Sequence, residues 1–183
     1  MTASQQWKVV MGVVAILAAG VYSAAQFAKD APMAVGEGTR APGFAAKTLD
    51  PTPVMKTLTD YRGHVVILNL WATYCVPCRT EMPSLEAVHA SFAGQGLRVV
   101  AVSIDQSGFE QQIRDFVRDY KLTFDILYDD TGAIQSIYHA SGVPETFIIG
   151  RNGKIRKRVL GADDWNSESN RAFLQQLLAE KAP

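Results

Sequence analysis

Apolar and polar residues follow three different rhythms along this chain. From Val9 to Ala28 there are twenty residues without a charge, VVMGVVAILAAGVYSAAQFA, apolar on every face until Tyr22. That length matches the ~20 residues a helix needs to cross a hydrocarbon core. Further on, His64 to Ala72 (HVVILNLWA) is a continuous β-branched and aliphatic run, the pattern of a strand buried on both faces. Leu97 to Ile104 repeats it. Between the two, Met82, Leu85, Val88, His89 and Phe92 recur at helical spacing and end in Gly94-Gln95-Gly96, which predicts a helix from about Val76 to Ala93 with Pro83 inside it. A helix joining two buried strands is a crossover, so the two strands should be parallel.

The rest of the chain continues the alternation. Ser107-Gly108-Phe109-Glu110 fits a capping box, followed by a stripe of Phe109, Ile113, Phe116, Val117 and Tyr120. A short strand near 124–127 and a short helix from Ala133 to Tyr138 follow. Glu145 to Ile149 and Lys154 to Leu160 flank Asn152-Gly153, a hairpin signal that makes these strands antiparallel. An amphipathic helix from about Glu168 to Glu180 carries Phe173, Leu174, Leu177 and Leu178. The organisation is therefore a cytoplasmic N-terminus (1–8), a transmembrane anchor (9–28), a linker rich in glycine and proline (29–40) and one α/β domain (41–183).

The anchor has a rival, because Ser23-Ala24-Ala25 has the small-x-small character of a signal-peptide cleavage site. Lys8 before the apolar run, against the cancelling Lys29 and Asp30 after it, places the N-terminus in the cytoplasm. Both readings export the domain to the periplasmic side of the cell membrane. Lysine plus arginine and aspartate plus glutamate both total 18, so the net charge of zero supplies no field for a phosphate backbone and excludes nucleic acid as a partner.

Only two cysteines occur, Cys75 and Cys78, too few and too close to staple a scaffold. The three histidines, His64, His89 and His139, show no ligand spacing with them, so neither metal nor cofactor is expected. The pair sits where a buried strand meets a helix. Unpaired backbone N–H groups and the helix dipole there favour the thiolate of Cys75, the expected nucleophile. Cys78, one turn further and more buried, is the expected resolving thiol. Trp71 and Tyr74 are expected to frame the pair. Glu81, three residues after Cys78, reads from periodicity as an exposed first-turn carboxylate complementing the dipole, or as a group exchanging protons with the thiols.

The run from Asn69 to Pro83, NLWATYCVPCRTEMP, resembles the active-site segment of the TlpA/ResA/CcmG-type thioredoxin-like proteins, and Tyr138 to Gly153 (YHASGVPETFIIGRNG) resembles their proline-bearing segment. The resemblance implies a thioredoxin-like α/β fold: a mixed central sheet flanked by helices, with an N-terminal strand-pair extension and a central helical insertion. It makes Pro144 a cis-proline beside the disulfide, gives Val143 a substrate-binding backbone, and assigns Glu81 of the CxxCxxE pattern a tuning role. Asn69 departs from the buried aspartate of ordinary thioredoxins. The implied activity is protein disulfide reduction, fed by a membrane dithiol donor and directed at exported proteins such as apocytochrome c or copper-site assembly proteins. Two alternatives stay open. A thiol peroxidase would want proline and threonine or serine where Leu68 and Ala72 stand, and a copper-handling dithiol module would use the soft thiolates alone.

Overall fold

The computed structural model describes residues 3–29 and 35–181, as two compact units divided at Ala34 and Val35. The first unit is one helix, α1 (Ala3–Lys29). Among the described residues no helix is long and apolar enough to cross a membrane. The expected span 9–28 lies partly outside the described side chains, which run without interruption only from 11 to 23. Over that stretch Ile16, Leu17 and Val21 are each more than half exposed.

The second unit is a seven-stranded mixed sheet in the order β2-β1-β5-β4-β3-β6-β7. Its strands are β1 (Ala45–Thr48), β2 (Met55–Thr57), β3 (Val65–Trp71), β4 (Leu97–Ser103), β5 (Asp125–Tyr128), β6 (Glu145–Ile149) and β7 (Ile155–Leu160). The helices are α2 (Val76–Phe92), α3 (Glu110–Asp119), α4 (Ala133–Tyr138) and α5 (Glu168–Ala179). β3 is parallel to β4 and β4 to β5, whereas β6 runs antiparallel to β3 and to β7. The N-terminal strand pair joins the same sheet through antiparallel β1–β5 pairing.

Every residue of β3 is buried, and the period of two sorts them. Val65, Ile67 and Trp71 join the core with Cys78, Met82 and Leu85 of α2, Ile113 and Phe116 of α3, and Leu174 and Leu177 of α5. Val66, Leu68 and Leu70 join the opposite core with Ile134 and Tyr138 of α4. Asn69 therefore falls on the α2 face. This placement decides the chemistry described below.

Two expectations need correction. The capping box at Ser107 does not form: α3 starts at Glu110 after Phe109, with no side-chain cap, because Gly108 (φ +93°) turns the chain away first. The folded unit also reaches back past residue 41, taking in residues assigned to the linker. Gly38 N–H donates to the Ile155 carbonyl, and Arg40 bridges Lys154. Residues 30–34 of that linker lie outside the described residues.

Candidate active site

β3 ends at Trp71, and the chain turns through Ala72, Thr73 and Tyr74 to reach Cys75, the N-cap of α2. A helix start leaves its first N–H groups without intrahelical partners. Here the Cys78 N–H, one of these, donates to Cys75 Sγ at 3.1 Å. Pro77 falls in the same first turn, where its missing N–H costs nothing. The two cysteines form a disulfide, with Cα atoms 5.3 Å apart. Cys75 is 6% exposed and Cys78 fully buried, so only Cys75 offers a sulfur to an incoming group.

The loop before Cys75 is held by Asp105, just beyond the end of β4. Its buried carboxylate accepts from the Thr73 N–H (2.9 Å), the Thr73 hydroxyl (2.7 Å) and the Ser103 hydroxyl (2.7 Å). The Arg79 guanidinium closes the loop from the other side by donating to the Thr73 carbonyl at 2.8 Å. Sequence reasoning passed over Asp105. The available signal was its position: two parallel neighbouring strands end at one edge of the sheet, where sites collect.

Glu81 is 2% exposed rather than solvated at the helix surface, and the reading as an exposed first-turn carboxylate is wrong. It shares α2's inward face with Cys78. Its Oε1 accepts from Asn69 Nδ2 at 2.8 Å, and its Oε2 from Trp165 Nε1 at 3.2 Å and from the Asp163 N–H at 3.4 Å. Asn69 Nδ2 also donates to Thr146 Oγ1 at 2.8 Å, as the Asn69–Thr146 pairing of β3 and β6 allows. No cation contacts the carboxylate among the described residues. Burial therefore raises its pKa above the ordinary 4.5, against the hydrogen bonds from Asn69, Trp165 and Asp163 that favour the charged form.

A raised carboxyl pKa means the folded state holds a proton that the unfolded state has lost, so stability falls as pH rises from about 4.5 toward the folded value. Below 4.5 both states are protonated and the contribution is fully present. Urea titrations of wild type across this range should show that decline, and Glu81→Gln should remove it. Parallel profiles for the two proteins would show that Glu81 does not carry the proton. Asn69 Oδ1, buried without a partner among the described residues, can accept from a protonated Glu81 or from glutamine after the amide turns over.

The other sequence-predicted residues divide. The Val143–Pro144 bond is cis. Leu70 pairs with Glu145, which puts Pro144 at the sheet edge where the Cys75 loop begins. Val143 is partly exposed beside it. Tyr74 is 65% exposed and joins Ile104, Gln106, Phe109 and Gln135 around a shallow cleft. Trp71 does not line a substrate site. It is fully buried, its ring 4.6 Å from that of Phe116, because the strand's alternation turns it into the α2 core. Glu145, which opens β6, is buried against Arg158 (2.6 Å) and the Ser141 N–H (3.0 Å).

Residues 38–158 match the family model described as AhpC/TSA family. The chain belongs to the AhpC/TSA family. It is 35% identical to the thiol-disulfide oxidoreductase ResA of Oceanobacillus iheyensis strain HTE831 over 149 residues, 80% of this chain and 77% of that one. It is 41% identical to the thioredoxin-like protein YneN of Bacillus subtilis strain 168 over 123 residues, 67% and 70% of the respective chains. A Chlorobium tepidum protein described as a thiol:disulfide interchange protein of DsbE type superposes with a TM-score of 0.71 at 29% identity, covering 79% of this chain and 99% of the other. With the Cys75–Cys78 pair at its helix start, the chain is a thiol-disulfide oxidoreductase of thioredoxin-like fold. Leu68, where a peroxidase would want proline, is fully buried inside β3. Among the described residues no group of three or more His, Cys, Asp or Glu side chains could hold a metal ion.

Proposed function

We propose that this oxidoreductase is a membrane-tethered, extracytoplasmic reductase of particular exported disulfides, such as those of apocytochrome c or copper-site assembly proteins, recharged by a membrane dithiol donor. The observation that carries the direction of electron flow is Glu81. A buried carboxylate without a cation, one turn from Cys78, opposes a second negative charge nearby. A thiolate that is not strongly stabilised makes the dithiol a ready electron donor.

In the forward step the Cys75 thiolate attacks one sulfur of the substrate disulfide. A mixed disulfide forms and the other substrate sulfur leaves as a thiolate. The Cys78 thiol passes its proton to the Glu81 carboxylate or to water and attacks Cys75 Sγ, which breaks the mixed disulfide. Two electrons pass to the substrate, which leaves as a dithiol, and the Cys75–Cys78 disulfide remains. Val143 and Tyr74, partly or largely exposed at the same edge, offer a backbone strip and an aromatic face to the substrate chain.

The tether rests on the uncharged run 9–28, within a helix that continues to Lys29; the cleaved signal peptide is the competing form. Equilibration against glutathione buffers tests the direction of flow. The couple should lie nearer the roughly −270 mV of thioredoxin than the roughly −120 mV of a strong oxidant. The reduced protein should open the disulfide of an apocytochrome c CxxCH peptide. A potential at the oxidant end would remove the reductase reading.

A further inference from the structure

At the end of the sheet opposite the disulfide lies a cavity of about 650 Å³ that the redox chemistry does not use. Arg40, Arg62, His64, Arg151 and Lys154 line it, and no acidic residue does. None of the four arginine and lysine side chains belongs to an ion pair among the described residues. Arg151 donates to the carbonyls of Gly63, Gln95 and Leu178, neutral acceptors that leave its charge uncompensated. The acidic groups nearby are otherwise placed: Asp60 accepts from the Thr57 N–H and hydroxyl, and Glu37 is exposed on the preceding turn. In a chain of zero net charge, this is a local concentration of positive charge.

The segment before β1 runs along β7 down to this cavity. The Val35 carbonyl accepts from Arg158 Nη1, Gly38 N–H donates to the Ile155 carbonyl, and Arg40 bridges Lys154 at the cavity rim, where Ala41 N–H donates to the Gly153 carbonyl. His64 and Val66 line the cavity at the start of β3, and the strand then rises about 3.3 Å per residue, some 20 Å in all, before the Cys75 loop begins. The uncompensated charge thus lies at one end of β3 and the disulfide beyond the other.

We infer that this cationic cavity seats against the phosphate headgroups of an anionic bilayer surface, holding Cys75 turned outward toward its substrates. The inference rests on the tethered form of the proposed function. Its driving force is Coulombic attraction of exposed arginine and lysine to anionic lipid, which falls off within a Debye length of ~8 Å at physiological salt. Each such charge at an anionic surface is worth roughly fivefold in partitioning. The cavity concavity and the arginine forks suit phosphate oxygens.

The test uses the full chain with Cys75→Ser and Cys78→Ser, which removes both native thiols, and a fluorophore on Thr59→Cys at the cavity or on Val76→Cys beside the redox site. Vesicles are phosphatidylcholine alone or mixed with phosphatidylglycerol, each doped with a headgroup quencher. The chain should float with both kinds through its N-terminal segment. The Thr59 probe should be quenched on the anionic vesicles only and the Val76 probe on neither. High salt should relieve the quenching, and so should Arg40→Glu, Arg62→Glu and Lys154→Glu together. If that variant unfolds, the salt titration of the otherwise unaltered chain decides.

Equal quenching of the Thr59 probe on both vesicles, quenching on neither, or equal quenching of the Val76 probe would overturn the inference while leaving the tether intact. Failure to float with neutral vesicles would overturn the tether. The inference would then stand only on salt-sensitive binding to anionic vesicles, and fall without it.

Discussion

Cys75→Ala is expected to reduce disulfide-reductase turnover to the uncatalysed level, whereas Cys78→Ser should leave the first chemical step intact and arrest the second. Cys75 alone reaches the surface and alone sits at the N-cap with a backbone N–H on its sulfur. A Cys78→Ser protein mixed with an oxidised substrate should therefore accumulate a mixed disulfide, one substrate per chain, visible on non-reducing gels and in intact mass. Capture by Cys75→Ser instead would exchange the roles of the two thiols. The captured protein from an extract made under the same conditions would identify the substrate directly.

The second large effect is expected at Trp165, which the sequence analysis did not select. Its indole is fully buried in the core with α2 and α5, while its N–H serves Glu81 and its backbone N–H donates to Ser84 Oγ at 3.1 Å. Trp165→Ala should cost about 3–5 kcal/mol in urea unfolding, the range for truncating a large buried aromatic residue. Trp165→Phe retains most of the apolar contact and loses the donor to a buried charged group, about 1–3 kcal/mol. Phenylalanine should also push the Glu81 pKa further up, because a hydrogen bond favouring the carboxylate is gone. Near-wild-type stability in Trp165→Phe beside a full loss in Trp165→Ala would mean that packing alone, not the bond to Glu81, fixes this indole.

How much of this was legible in the sequence depended on the range over which each feature is encoded. β3, α2, β4 and the β6–β7 hairpin announce themselves through local periodicity, and the strand–cysteine–helix junction follows from adjacency. Glu81 was misjudged because it was read as a first-turn carboxylate, whereas α2 starts at Val76 and Glu81 falls in its second turn. Yet Cys78, Met82, Leu85 and Val88 define a stripe whose edge includes position 81, so its burial was readable in principle. Trp71 could likewise have been assigned to the α2 face from its alternation with Ile67 and Asn69. The partnership of Asn69, Glu81 and Trp165 was not readable, since Glu81 and Trp165 lie 84 residues apart and are brought together only by tertiary packing. The cationic cavity was hidden by a net charge of zero, its residues being contributed by separate segments around 40, 61–64 and 151–154.

The bond that this protein makes and breaks closes a ring of only four residues, Cys75 through Cys78. In the chain-entropy account, a cross-link restrains the unfolded ensemble in proportion to the logarithm of the loop it closes. A ring this small contributes about 2 kcal/mol, against nearly 5 for a loop of a hundred residues. The architecture itself is held by a seven-stranded sheet with a core on each face, neither of which depends on the disulfide for its closure. The molecule can thus lose its only covalent cross-link at every turnover and wait in the dithiol state, still folded, until a substrate arrives.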